Sequence, residues 1–291
     1  MERWIVKLRK FALISLLTLI SLPLNAFNLS IYPSSPVEGD PVLLSVSGVK
    51  TCPEGEIFGK KLRFRKYKDR WIAIFGIDLM RKPGIYNLAL IVKEKGKLKK
   101  KIVKLPVGKR IFALQKLTLS KRYDELSKSD LERIERENRE IRALWSLNTP
   151  VKWHGKFIHP LGRKFEGIHG HRFGARRIIN GIPRKPHSGA DYPAPEGTPV
   201  YAPNDGVVVL TGNHFFAGNS IYIDHGGGLI SMYFHLSKIL VHKGEHVRKG
   251  QKIGEVGATG RVTGPHLHFG VYWLGNRIDP DKLLSLPVPG E

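Results

Sequence analysis

Between Pro41 and Leu105 the chain alternates short apolar runs with polar breaks. The runs are Pro41-Val-Leu-Leu-Ser-Val-Ser-Gly48, Trp71-Ile-Ala-Ile-Phe75, Tyr86-Asn-Leu-Ala-Leu-Ile-Val92 and Lys101-Ile-Val-Lys-Leu105. Asp69, Pro83-Gly84 and Gly96 punctuate them. Runs of this length bounded by turn residues predict strands. Short strands at this spacing predict a small β-sandwich over 27–109, of which the immunoglobulin-like arrangement is one form.

Over about 111–146 the apolar period lengthens. Leu131, Ile134, Ile141 and Trp145 recur near one face, which is helical spacing. Ser129-Asp-Leu-Glu132 fits a capping box. Glu132–Arg136 and Glu135–Arg139 are favourable i,i+4 pairs. The apolar repeat covers too few heptads for a dimerising coiled coil. Residues 110–147 therefore read as a helical linker or strut.

From Val151 onward the chain is rich in Gly, Pro and His. Gly206-Val-Val-Val-Leu210, Ser220-Ile-Tyr-Ile-Asp224, Leu229-Ile-Ser-Met-Tyr-Phe234, Val247-Arg-Lys-Gly-Gln-Lys-Ile253 and His266-Leu-His-Phe-Gly-Val-Tyr272 read as strands. Gly226-Gly-Gly228 suits a hairpin connection. No helical pattern interrupts the stretch, so 148–291 reads as one antiparallel β domain and the whole chain as mainly β.

The N-terminus has a different character. Arg3, Lys7, Arg9 and Lys10 precede the uncharged apolar run Phe11–Leu22, and Leu24-Asn25-Ala26 offers a small residue before Phe27. This is the order of a secretory signal peptide over 1–26. The run is shorter than the ~20 residues of a membrane span. The expectation is export to the periplasm or cell envelope, with anchoring as the outcome if the segment is not cleaved.

A chain of 291 residues has room for two domains, and 41% hydrophobic with 9% aromatic residues exclude wholesale disorder. The net charge of +23 is extreme and uneven. Up to Arg110 there are 23 Lys/Arg against 8 Asp/Glu; the remainder holds 25 against 17. Such a surface attracts polyanions. No nucleic-acid-binding signature accompanies it. Nucleic acid is not expected, and anionic envelope polymers or lipid are the expected partners of the basic N-terminal part. Cys52, the single cysteine, excludes an internal disulfide and a thiolate metal cluster. It reads as an ordinary buried or half-buried residue.

The chemistry lies among the 12 histidines. His154, His159, His169, His171, His214, His242 and His246 sit among charged or turn residues and read as surface positions, and His225 as structural. The others form patterns. His187-Ser-Gly-Ala-Asp191 places an imidazole and a carboxylate four apart. His266 and His268 are two apart on a predicted strand, so both face one side. His235 ends another predicted strand. Catalytic zinc sites take three N/O ligands and keep a fourth position open. One His-x-x-x-Asp with one histidine of His-x-His supplies such a set.

The segment from about Phe157 to Leu284 resembles the lysostaphin/LytM-type zinc metallopeptidases, which are peptidoglycan endopeptidases. The stretches that carry the resemblance are Arg172-Phe-Gly174, His187-Ser-Gly-Ala-Asp-Tyr192, Gly197-Thr-Pro-Val-Tyr-Ala-Pro203, Gly206-Val-Val208, Tyr233-Phe-His-Leu236, Lys249-Gly-Gln-Lys-Ile-Gly254 and Thr259-Gly-Arg-Val-Thr-Gly-Pro-His-Leu-His-Phe269. The resemblance implies one zinc ion per chain on His187, Asp191 and His268, with His235 and His266 as the catalytic pair beside it. It implies hydrolysis of peptide cross-links in peptidoglycan by metal-activated water. There is no His-Glu-x-x-His, so the usual glutamate base is missing. Two histidines can fill that gap, one accepting the proton of water and one serving the oxyanion or leaving amine. Some relatives that lack ligands act as binding regulators of other wall hydrolases; all five positions are intact here. Direct cross-links to a diamino acid and glycine bridges both remain open as the bond that is cut.

Overall fold

Among the described residues eight strands occupy the N-terminal part: β1 (Asn28–Tyr32), β2 (Pro41–Ser47), β3 (Glu54–Ile57), β4 (Lys60–Leu62), β5 (Arg65–Tyr67), β6 (Arg70–Gly76), β7 (Gly84–Glu94) and β8 (Lys97–Val107). The computed structural model describes residues 27–94, 96–118 and 126–290. The predicted export segment, 1–26, lies outside the described residues.

The eight strands form two four-stranded antiparallel sheets, ordered β1-β2-β6-β5 and β4-β3-β7-β8. Their sequence pattern shows why. Leu88, Leu90 and Val92 of β7 are fully buried while the residues between them are not, the period-2 signature of a strand with one face inward. Val42 and Leu44 of β2 and Phe75 of β6 join Leu88, Leu90 and Leu105 in one core cluster.

That cluster does not stop at residue 109. It continues through Trp273 and Ile278 into the C-terminal part. Phe75 meets Trp273 edge-on at 6.1 Å between ring centroids. The Asn276 side chain donates to the carbonyl of Gly76 at 2.9 Å. Arg277 grips both carboxylate oxygens of Asp78, at 2.7 and 3.0 Å.

The segment read as a helical linker divides in two. Leu114–Leu117 is a strand, β9, and the helix α1 runs only over Lys128–Leu144. Ser127, not Ser129, is the N-cap. Its hydroxyl accepts from the Asp130 N–H, and the Asp130 carboxylate accepts from the Ser127 N–H. Two serines in Ser127-Lys-Ser129 compete for this role, each with an acid three residues on, Asp130 and Glu132, and the reciprocal bonds close at Ser127. The helix is not a free strut. Ile141, Leu144 and Trp145 pack on Tyr222, Ile230 and Met232, and Trp145 stacks on Tyr272 at 4.4 Å.

The C-terminal strands are β10 (Arg176–Ile179), β11 (Ile182–Arg184), β12 (Gly189–Pro193), β13 (Pro199–Tyr201), β14 (Gly206–His214), β15 (Gly218–Asp224), β16 (Leu229–Ile239), β17 (His246–Val247), β18 (Lys252–Val256), β19 (His266–Trp273) and β20 (Asn276–Ile278). The principal sheet is antiparallel and runs β12-β19-β16-β15-β14-β17, with β18 joining β13 and β16, and β20 on β19. Residues 225–228, which hold the three glycines, connect β15 to β16 as a hairpin. The run Val247–Ile253 is two strands rather than one, because 248–251 turn between them. A short helix, α2 (Pro280–Leu284), follows β20, where none is expected; Asp279 caps it and Pro280 opens it. A small sheet, β11-β10-β9, joins β9 in parallel to β10.

Three further expectations are corrected. His159 and His214 are buried rather than superficial: His159 stacks on Phe165, and the His214 ring bonds the Ser220 hydroxyl at 2.6 Å. Cys52 is exposed.

Candidate active site

β12 and β19 are neighbours, and their register sets Asp191 directly opposite His268 and Pro193 opposite His266. The two histidines project from one face of β19, as their spacing predicts. His187 precedes β12 on the same side. Its Nδ1–H donates to the carbonyl of Arg172 at 3.0 Å, which turns Nε2 toward Asp191. Arg172 holds a left-handed backbone, φ 77°, an unusual conformation for a side chain of this size and one that recurs at functional sites.

Three atoms converge. His187 Nε2 lies 3.1 Å from Asp191 Oδ1 and 2.9 Å from His268 Nδ1, and His268 Nδ1 lies 2.8 Å from Asp191 Oδ1. Close approach of backbone makes room: a Cβ on Gly189 would sit 2.6 Å from His268 Nε2. Burial pushes the His187 imidazole down to about 4, so at neutral pH it is uncharged, with its proton on Nδ1. Burial alone would raise the Asp191 carboxyl, but the His187 and His268 rings beside it outweigh that and hold it well below the usual carboxylate range. The result is a carboxylate and two imidazole nitrogens in mutual contact, more lone pairs than protons. A divalent cation resolves that arrangement, and two imidazoles with one carboxylate are donors suited to zinc.

His235 and His266 stand beside this group, their rings 4.9 Å apart. The His235 Nδ1–H donates to the carbonyl of Thr259 at 2.9 Å, and the His266 Nδ1–H to that of Gly264 at 2.8 Å. Each ring is thereby fixed in the tautomer whose Nε2 can accept a proton; His266 Nε2 is 3.7 Å from Asp191 Oδ1. Burial lowers His235 to about 3.

The sequence places His235 at the end of a strand; it lies inside β16. Its φ of 66° and the bond from its N–H to the Ala217 carbonyl interrupt the ladder between Phe234↔His268 and Leu236↔Val256. This irregularity turns two successive side chains, Phe234 and His235, toward one groove, which regular alternation forbids. Phe234 uses its position to stack on His268, 5.1 Å between centroids and nearly parallel.

All five predicted residues line one groove of about 490 Å³. Sequence reasoning missed the rest of the lining. Gln115 and Leu117 of β9 form one wall, and Arg172, Arg177, Lys185 and Arg261 also face the space. Arg177 reaches Gln115 Oε1 at 3.1 Å and Asp191 Oδ2 at 3.5 Å. The parallel pairing of β9 with β10 puts Gln115 there, and no local pattern announces it.

Residues 185–280 match the model of peptidase family M23. The chain is 54% identical over 97 residues to peptidoglycan DD-endopeptidase ShyA of Vibrio cholerae, covering 33% of this chain and 23% of that protein. It is 45% identical over 103 residues to DD-carboxypeptidase/endopeptidase Mpg of Neisseria meningitidis, covering 35% and 24%. The matches thus span about a quarter of these curated relatives. Across nearly the whole fold the chain resembles a Pseudomonas aeruginosa crystal structure assigned to peptidase M23, at 31% identity, 86% of this chain, 94% of that chain and a TM-score of 0.59. A likeness of that extent, with the family match falling on the segment that holds all five site residues, means that the chain belongs to peptidase family M23.

Proposed function

We propose that the chain is a zinc-dependent endopeptidase that hydrolyses peptide cross-links of bacterial peptidoglycan. The observation that carries the reading is the convergence of His187 Nε2, Asp191 Oδ1 and His268 Nδ1 in a groove that also receives the Nε2 atoms of His235 and His266. The first three would hold the ion. Zinc in such a site polarises a peptide carbonyl and makes water nucleophilic at neutral pH. One of His235 and His266 takes the proton of the attacking water on Nε2. The other stabilises the developing oxyanion or returns a proton to the leaving amine. The backbone carbonyls of Thr259 and Gly264 keep both rings in the required tautomer throughout.

Export over residues 1–26 would put the enzyme in the periplasm or cell envelope, where the substrate is, and N-terminal sequencing of native protein should begin near Phe27. The basic N-terminal part fits anionic envelope polymers or lipid as a second partner. A different class of function, a non-catalytic binder that regulates another hydrolase, is disfavoured by the complete ligand set. The deciding experiment measures zinc content and then digests purified sacculi, with mass spectrometry of the released muropeptides. Zinc near one per chain with new amine termini is the expected result. A zinc-loaded protein that binds sacculi and releases nothing would favour the regulator.

A further inference from the structure

A left-handed backbone at a residue such as His235, φ 66°, persists only where its neighbours over-determine it. Those neighbours are the turn of the β14–β15 hairpin and the segment around Thr259. The Ala217 carbonyl accepts the His235 N–H at 2.8 Å, and the Thr259 carbonyl accepts the ring Nδ1–H at 2.9 Å. The carbonyl of the next residue, Leu236, accepts from the Thr259 hydroxyl at 2.8 Å and from the Asn219 amide at 3.0 Å. The Asn219 N–H donates in turn to Thr259 Oγ1 at 2.9 Å. Backbone meets backbone here: a Cβ on Gly218 would sit 2.4 Å from the Thr259 carbonyl carbon.

The same hairpin is gripped from its other side by α1. The hairpin ladder ends at His214↔Gly218. At that end Glu137 Oε2 accepts from the Phe215 N–H at 2.9 Å, and Arg133 donates to the Asn213 carbonyl at 2.7 Å. Arg133 Nε also donates to Glu137 Oε1 at 2.7 Å, which joins the two side chains into one clamp. The Asn213 amide carries the path on to Asn219 Oδ1 at 2.9 Å. An i,i+4 ion pair on a solvated helix face contributes little, and Glu135–Arg139, with side chains 69% and 62% exposed, is such a pair. Glu137 is different. Its side chain is 15% exposed, and one of its two oxygens is committed to another element through a charge-assisted bond.

We propose that Arg133 and Glu137 of α1 are positioning residues for His235, acting through the β14–β15 hairpin, Asn219 and Thr259. The inference rests on the proposed endopeptidase reading, in which the His235 ring handles a proton. When the clamp opens, the hairpin end relaxes, the Ala217 and Thr259 carbonyls shift, and the ring loses the orientation that aims Nε2 into the groove. His187, Asp191 and His268 belong to β12, β19 and the residues just before β12, so the clamp serves turnover and leaves the proposed metal donors alone.

The test uses substitutions that keep shape. Glu137→Gln turns one acceptor oxygen into a donor and so breaks half of the clamp. Thr259→Val removes the hydroxyl, and Thr259→Ser restores it. On a soluble cross-linked muropeptide, the zinc-loaded full chain carrying Glu137→Gln or Thr259→Val should lose about 10- to 100-fold in kcat, the effect of a small misplacement of a reacting group, with KM and zinc content kept. Thr259→Ser and Glu135→Gln should match the unaltered chain. In a His235→Ala background Glu137→Gln should add no further loss, because its effect passes through that ring. A readout independent of activity is NMR of protein with isotope-labelled histidine. The His235 Nδ1–H signal, identified by its absence in His235→Ala, should exchange faster with water in Glu137→Gln and Thr259→Val and stay protected in Glu135→Gln. A Glu137→Gln protein that matches Glu135→Gln in kcat or in spectrum would overturn the inference, as would an equal loss in the His235→Ala background. If the unaltered zinc-loaded chain cuts neither muropeptide nor sacculi, the endopeptidase reading fails, and the spectrum still decides whether the clamp holds the ring.

Discussion

His187 Nε2 and His268 Nδ1 face each other across 2.9 Å with Asp191 Oδ1 beside both. His266, two residues from His268 on the same strand face, stands outside that contact. On the proposed reading the neighbours have different jobs. His268→Ala removes one of three donors, so zinc affinity and activity should both collapse. His266→Ala leaves the donors intact, so zinc should stay near one per chain while turnover falls by about 10²–10⁴, the worth of a positioned acid or base. Elemental analysis with sacculus digestion reads both. Zinc lost from the His266 variant and kept by the His268 variant would reverse the assignment.

The clamp between Arg277 and Asp78 joins the N-terminal sheets to the peptidase sheet. Asp78→Ala leaves a half-buried guanidinium without its paired acceptor, an effect of about 1–3 kcal/mol. For a protein of this size the melting temperature should drop by roughly 2–4 °C per kcal/mol, and scanning calorimetry measures it. An unchanged melting curve would show that the clamp contributes nothing to holding the two parts together.

His225 gives the stability a defined pH dependence away from the active site. Burial lowers it to about 4, with the charges of Asp224 and Asp205 opposing and that of Lys152 assisting. Its Nδ1–H donates to the Asp205 carbonyl, and its Nε2 meets the Ser231 hydroxyl. Because the folded value lies below the unfolded one of about 6.5, the unfolded chain takes up the proton first as pH falls. This contribution is complete above about pH 6.5 and is lost between there and about pH 4, at up to about 1.4 kcal/mol per pH unit. Denaturant melts over that window should show the slope. His225→Gln should lower stability and flatten the slope; an unaltered slope would place the titration elsewhere.

Lys97, Lys99, Lys100, Lys101 and Lys104 are exposed along β8, the edge strand of its sheet. Binding of the chain to anionic wall polymer or anionic vesicles should weaken steadily as salt rises from about 0.05 to 0.5 M, as the Debye length shrinks. Retention that ignores salt would point to a shaped pocket instead.

What the sequence made legible follows from physics that is local. His266 and His268 share a face because a strand repeats every two residues, and the apolar runs that read as strands are strands except Val247–Ile253, which a turn divides. The missed features depend on distant chain. Ser127 and Ser129 each have an acid three residues on, so the local pattern does not choose between them, and Ser127 is the cap. Phe234 and His235 share the groove only because a left-handed residue interrupts β16. His214 looks superficial until Ser220, on the paired strand β15, supplies its partner.

The pairing of β9 with β10 has a consequence for what counts as the enzyme. Gln115 and Leu117 form a bank of the groove, yet they lie outside the matched family segment. A fragment beginning at residue 148 would keep every proposed metal donor and both histidines to which proton handling is assigned in the proposed function. It would also be an open shelf, with Arg177 released from Gln115. The width of the cleft, and so the breadth of peptides it admits, is set by a stretch of chain that performs no chemistry. Substrate range can therefore change through substitutions in β9 while the catalytic residues stay the same.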